Sequence, residues 1–188
     1  PGLDFSSTFA PVVSLTSVRL LICMLVQLGL KPFQYDISTA FLYADLKEEI
    51  YVSMPDGLKE YNGTEGNKQE YVWRLKKSLY GLKQAPREWH SLISKWLIDF
   101  GFEASPVDSG IYTYQKHGIH CILGLYVDDI IGGCNSSEFI SRLYAALSAR
   151  FEITRNEQVN SILGIELDHR ENGAILLHQQ QYIEDLLA

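Results

Sequence analysis

Three things are scarce in this 188-residue chain: cysteine, long apolar runs and basic charge. The three cysteines, Cys23, Cys121 and Cys134, lie in apolar sequence and at no spacing that suits zinc, so reduced, buried thiols are expected rather than a disulfide framework. The best apolar run, residues 20–26, is far shorter than the roughly 20 residues that cross a bilayer, and no targeting signal is visible. Sixteen Lys and Arg against 23 Asp and Glu leave a formal charge of −7, which excludes a protein that holds nucleic acid by phosphate contacts alone. The bases are unevenly placed, however. Arg74, Lys76, Lys77, Lys83 and Arg87 cluster, forming either a local basic face or merely a solvated strand and helix start.

What is present is organised around Tyr126-Val127-Asp128-Asp129. Near-continuous apolar sequence on each side, from His120 to Gly133, reads as two buried strands of a hairpin interrupted only by adjacent carboxylates. Like charges beside a core repel and are costly to desolvate, which a divalent cation would offset; the alternative is a plain surface Asp-Asp turn. A further acid, Asp36, ends a short extended segment over 33–36 and is followed by the slim residues Ile37, Ser38, Thr39 and Ala40. A hard dication such as magnesium takes one or two carboxylates plus phosphate oxygens, and Asp36 with Asp128 would supply that pair if they meet.

The rest of the chain supplies a frame. Ser14 or Thr16 caps a helix running to about Leu28, with Val18, Leu21, Ile22 and Leu25 at helical spacing and Gly29 as its stop. Strands are expected over 48–55 and 71–75, separated by a polar exposed loop at 56–70. Tyr80 to Pro86 reads as a loop feeding a helix N-terminus, where free amides, the dipole and nearby Lys83 and Arg87 suit phosphates. That helix carries Trp89, Leu92, Ile93, Trp96, Leu97 and Phe100 on one stripe and stops at Gly101, so both tryptophans are expected in the core. A hairpin turning at residues 116–118 leads into the Asp-Asp hairpin, after which Asn135 or Ser136 caps a helix ending near Arg150. Residues 161–167 and 174–177 flank Glu171-Asn172-Gly173 as the arms of a last hairpin. Strands outnumber long helices, giving an α+β fold: an antiparallel sheet backed by helices.

Four blocks, Gln34-Tyr35-Asp36 through Phe41-Leu42, Leu79-Tyr80-Gly81-Leu82-Lys83-Gln84-Ala85-Pro86-Arg87-Glu88-Trp89, Tyr126-Val127-Asp128-Asp129 and Leu163-Gly164-Ile165-Glu166, stand in the order of one family. Together they resemble the reverse transcriptase of copia-type LTR retrotransposons. The resemblance implies a polymerase palm with partial fingers, a single domain over residues 1–188 ending at the thumb connection. It implies two Mg2+ ions, with Mn2+ able to substitute, held by Asp36 and Asp128, with Asp129 assisting and the Ile37 carbonyl as a further ligand. Phe41, Tyr80 and Gly81 would form the deoxynucleotide pocket, Phe41 lying under the sugar, although a purely local reading makes Phe41 a core residue. Lys83 and Arg87 would face the template, Tyr126 the primer end, and Gly164 would let the backbone approach primer phosphates, unless its hairpin is merely structural. The implied partners are an RNA or DNA template with primer, deoxynucleoside triphosphates, and the integrase and RNase H portions of a Pol polyprotein. The implied setting is cytoplasmic, within virus-like particles, with nuclear import as a variant.

Departures narrow the expectation. The chain begins with Pro and stops within Tyr182 to Ala188, which reads as a helix just started, so an internal piece of a longer protein is expected. Basic finger residues before Pro1, the thumb and RNase H are expected to lie outside these 188 residues, and Arg155 is the nearest candidate for a basic residue after the Asp-Asp hairpin. Two rivals remain: a catalytically inactive retroelement relic that binds nucleic acid, and a metal-dependent nuclease, which would leave Phe41 and the Tyr80 block unexplained.

Overall fold

Helix α1, Leu15–Gln27, forms because Val18, Leu21, Ile22 and Leu25 make one buried stripe and Ser14 caps its start, the hydroxyl accepting from the Ser17 amide. Asp108 then pins that start. Its carboxylate accepts from the Ser14 amide at 3.1 Å, the Ser17 hydroxyl at 2.5 Å and the Gly110 amide at 2.9 Å. Gly29, at φ 59°, turns the chain out of the helix.

The computed structural model describes residues 8–54, 72–156, 159–171 and 173–187. The polar loop expected at 56–70 lies outside them. After α1 come β1 (Lys31–Ile37), a 3-10 turn (Ala40–Tyr43), β2 (Tyr51–Ser53), β3 (Val72–Arg74) and α2 (Ala85–Phe100). The hairpin strands follow: β4 (Glu103–Ala104), β5 (Ile111–Lys116), β6 (Ile119–Tyr126) and β7 (Asp129–Cys134). The chain continues through α3 (Ser137–Ser148), β8 (Ile153–Asn156), β9 (Ser161–Ile162), β10 (Ile165–His169), β11 (Ile175–His178) and α4 (Gln180–Leu187). It divides into two compact units, one of Pro1–Ala10 and Phe41–Leu92, the other of Pro11–Ala40 and Ile93–Ala188.

In the second unit, six strands form an antiparallel sheet in the order β4-β5-β6-β7-β1-β8. One face carries Phe33, Tyr35, Leu123 and Leu125 toward α3, where Tyr35 donates its hydroxyl to the Ile140 carbonyl at 3.3 Å and packs on Tyr144. Phe100, Phe102, Tyr114 and Phe139 extend that layer edge to face, with the Arg142 guanidinium over two of the rings. The opposite face meets α1. A Cβ on Gly133 would lie 2.3 Å from Leu25, so glycine there lets helix and sheet close together. A second sheet, β11-β10-β9, adds Ile162 and Leu167 to the core built by α1 and Ile131, joined by Val159 just before β9. The expected α+β class with antiparallel sheets is the one that forms.

In the first unit, β2 and β3 pair as an antiparallel ribbon, and Trp89 of α2 is fully buried beside Tyr43. Burying so large a ring contributes on the order of 3 kcal/mol.

Two expectations need correction. Cys23, expected to be buried, is exposed because it lies outside the stripe of α1 made by Leu21, Ile22 and Leu25, so only Cys121 and Cys134 are buried thiols. Residues 161–167, read as a single arm, are two strands. Leu163 at φ 50° and Gly164 at φ 76° turn the chain back, pairing Ile162 with Ile165. Positive φ at both central positions is the requirement of a two-residue hairpin, and the apolar residues on each side hid it.

Candidate active site

Strand alternation decides where the acids go. Phe33 and Tyr35 face α3, so Gln34 and Asp36 face the side that carries α1. The β1–β7 register sets Asp36 directly opposite Asp129. Tyr126 and Asp129 close the β6–β7 hairpin, leaving Val127 and Asp128 as its two turn residues. The Ile37 amide donates to the Asp128 carbonyl at 2.9 Å, tying that turn to the end of β1. Two segments far apart in sequence thereby bring three half-buried carboxylates together.

Their electrostatics record the crowding. Burial, then the nearby Asp128 charge, pushes the Asp36 carboxyl above the usual carboxylate range. Asp129 is pushed up by burial and by both Asp128 and Asp36, against a hydrogen bond from the Gln34 side chain that favours its ionised form. Val127 adds strain. At φ 53° this β-branched residue occupies the left-handed region, a cost of about 1–3 kcal/mol. The neighbouring hairpin turn has another non-glycine residue, His117, at the same φ of 53° in its first position, followed by Gly118 at φ 74°.

This donor set fits a hard dication. Three carboxylates that repel one another offer oxygen ligands and gain from a positive charge between them. Among the described residues no group of three or more His, Cys, Asp or Glu side chains is placed to hold a metal ion by itself. Magnesium needs no such group, since it binds through one or two carboxylates together with water and substrate oxygens.

The first unit holds the aromatic candidates. Phe41 and Tyr80 pack with ring centroids 4.6 Å apart, and Tyr80 remains 52% exposed. Gly81 sits at φ 96° with no protein atom within 4 Å of where a Cβ would be. The backbone angle, rather than crowding within the protein, selects glycine there. Lys83 is exposed.

Arg87, expected to face the template, is paired within the protein. Its side chain is only 19% exposed, and its guanidinium donates to Glu48 at 3.1 Å and, very closely, to Glu88. Glu88 is 5% exposed, lies in the first turn of α2 and also receives Lys47 at 2.9 Å. Burial would raise Glu88, but the hydrogen bonds and charges of Lys47 and Arg87 outweigh it and hold the carboxyl below its ordinary range. The α2 N-terminus, expected to receive phosphate, thus already has its own anion. Arg74 pairs with Glu49 at 2.8 Å and Lys77 with Asp45 at 2.7 Å, so these two bases, like Arg87, are engaged within the protein.

Tyr126 shares the face of Asp129 and packs its ring against the α1 core. Gly164 lies at the β9–β10 turn, where its carbonyl accepts from the Gln179 side chain at 3.3 Å. Arg155 is on the wrong face for the acids: it stands opposite Tyr35 in the β1–β8 register, with its guanidinium over the Tyr144 ring. Two residues were missed by sequence reasoning. Period-two alternation from Asp36 would have placed Gln34 beside the acids, and an acid in the first turn of a helix would have pointed to Glu88.

The whole chain, residues 1–188, matches the family model described as Reverse transcriptase (RNA-dependent DNA polymerase). It is 36% identical over 188 residues to the Retrovirus-related Pol polyprotein from transposon RE2 of Arabidopsis thaliana, covering 100% of this chain and 12% of that polyprotein. Identity to the corresponding polyprotein from transposon RE1 of the same plant is 35%, with the same coverage. It is also 35% to that from transposon TNT 1-94 of Nicotiana tabacum, over 99% of this chain and 14% of the relative. The chain therefore spans about one-eighth of the length of these relatives.

Proposed function

The chain belongs to the reverse transcriptase (RNA-dependent DNA polymerase) family, and from that premise we propose that its carboxylate site adds deoxynucleotides to a primer 3′ end on an RNA or DNA template. The observation that carries the reading is the meeting of Asp36, Asp128 and Asp129 at the end of β1 and the β6–β7 turn. In this reading the second unit is the palm and the first is part of the fingers.

The reaction joins the primer 3′ oxygen to the α-phosphorus of a deoxynucleoside triphosphate and breaks the bond to pyrophosphate. Asp36 and Asp128 are the residues that would hold two magnesium ions, or manganese in their place. Bound there, such ions lower the pKa of the attacking hydroxyl, orient the α-phosphate and offset charge on the leaving group. Asp129 adds negative charge beside that pair. Phe41, packed on Tyr80, is the residue that the family resemblance assigns to the sugar, and in that role it would discriminate against a 2′-hydroxyl. Lys83 offers an exposed cation for phosphate, whereas Arg87 serves the scaffold through Glu48 and Glu88. The integrase and RNase H portions of a Pol polyprotein, in a virus-like particle, are the partners this reading implies.

Extension of a primed RNA template by the full-length protein with magnesium and deoxynucleotides tests it. Incorporation is expected, and Phe41→Ala should admit ribonucleotides. No incorporation by the intact protein, or unchanged sugar selection in the variant, would contradict the respective assignment. The nuclease alternative predicts primer loss without nucleotides, and it gives Phe41 and Tyr80 no task.

A further inference from the structure

Cys121 and Cys134 stand directly opposite each other across the β6–β7 ladder, the sixth pair from the turn, and both are buried and free. Hydrogen-bonded and non-hydrogen-bonded pairs alternate along an antiparallel ladder. The Asn135 amide donates to the His120 carbonyl at 3.1 Å, which makes residues 120 and 135 a hydrogen-bonded pair and the next pair, Cys121 and Cys134, a non-hydrogen-bonded one. Pairs of that kind lie about 4.5 Å apart at Cα with both side chains on one face, inside the roughly 4.4–6.8 Å span of a disulfide. The thiols are buried but not deep. His120 and Asn135, the next residues out, are exposed, and Cys134 is the last residue of β7. The Ser136 amide, at the start of α3, donates to the Cys134 Sγ at 3.4 Å, a contact that favours the thiolate.

We propose that Cys121 and Cys134 are a redox site: a low-molecular-weight disulfide oxidises them to a reversible cross-strand disulfide, which staples the open end of the hairpin whose other end is the Val127-Asp128 turn. The inference stands apart from the polymerase reading. When the end of the ladder frays, the Cys134 thiolate attacks one sulfur of glutathione disulfide, forming a mixed disulfide and releasing one glutathione. Cys121, giving up its proton, then attacks the Cys134 sulfur and displaces the second glutathione. Two cysteine thiols thus lose two electrons and two protons, and one glutathione disulfide becomes two glutathione thiols. Cys23 is exposed on α1, at the other face of the sheet, and within one molecule it takes only the mixed disulfide.

The test incubates the native full-length protein with glutathione disulfide, blocks the remaining thiols under denaturing conditions and digests with trypsin. Residues 117–142 form one tryptic peptide that holds Cys121 and Cys134 and no other cysteine, so the bond lowers its mass by two hydrogens. The expected results are that oxidised peptide, its return to two thiols under dithiothreitol, and a Tm about 5–10 °C higher for the oxidised protein, because the bond restricts the unfolded chain. Cys134→Ala, treated alike, should show no such rise, and Cys121→Ala is the second variant should the first fold poorly. Recovery of the peptide with two blocked thiols or two glutathione adducts, after Cys23 has reacted fully, overturns the proposal. So does a disulfide that forms only in urea-unfolded protein, or one that leaves Tm unchanged or lower.

Discussion

Asp36→Asn should stabilise the protein while disabling its proposed chemistry. Asp36 faces Asp129 across the β1–β7 register and feels Asp128 as well. Opposed side chains in adjacent strands stand about 5 Å apart at Cβ. Two unit charges at roughly 5–6 Å repel by about 1 kcal/mol at the dielectric of water and about 3 kcal/mol at an effective value of 20. Asp36 is half-buried, so screening holds the gain from the amide to about 1–2 kcal/mol, or about 2–8 °C in Tm for a chain of this size. The sign follows from the raised folded pKa. The folded state holds the Asp36 proton more tightly than the unfolded state, whose value is near 3.8, so the penalty is absent below about pH 4 and complete at neutral pH. Thermal unfolding followed by circular dichroism in EDTA at pH 7.5 and again near pH 3.5 measures it. The asparagine variant should melt higher at pH 7.5 and lose that advantage in acid, and millimolar Mg2+ should raise wild type more than the variant. A lower Tm for the variant in EDTA at pH 7.5 would refute the argument.

Three other perturbations probe the scaffold. Glu88→Ala removes the buried carboxylate shared by Arg87 and Lys47, and should cost about 3–5 kcal/mol in urea unfolding; a loss below 1 kcal/mol would mean the ion cluster is incidental. Asp108→Asn weakens three hydrogen bonds at the start of α1 and should cost about 1–2 kcal/mol at pH 7. Burial opposes ionisation of Asp108 but the Ser17, Ser14 and Gly110 donors outweigh it, so this stability is present above about pH 4 and fades as pH falls through the lowered folded pKa; a deficit independent of pH would contradict the assignment. Gly110→Ala would put a Cβ 2.3 Å from the Val13 nitrogen and 2.6 Å from its Cα, backbone atoms that cannot step aside. A loss of at least about 1–3 kcal/mol, seen in urea unfolding, is expected there.

The legible parts of this fold were those decided locally. Ser14 and Gly29 bracket α1, and Trp89, Ile93 and Leu97 mark the buried stripe of α2, because capping and periodicity act within a few residues. The Asp-Asp hairpin was legible for the same reason: apolar arms on both sides of two acids have few other uses. Register was not. Nothing in the order of residues says that Asp36 pairs with Asp129, that Arg155 pairs with Tyr35 and so faces away from the acids, or that Leu163 and Gly164 split an apolar run into two strands. These outcomes depend on how distant strands align, and a slip of one residue exchanges the faces. The basic cluster misled for a different reason. Charge was visible in the sequence, but its partners Glu48, Glu49, Glu88 and Asp45 were not: they pair Arg74 and Lys77 at the surface and hold Arg87 in a largely buried cluster.

The central claim is that the β6–β7 turn delivers a carboxylate to nucleotidyl transfer. Its most direct test compares primer extension by the full-length protein and its Asp128→Asn variant, with Mg2+ and with Mn2+, after both give the same circular dichroism spectrum. The account predicts extension by the wild type and none above background by the variant under either metal. Turnover by Asp128→Asn within a few-fold of wild type would contradict it.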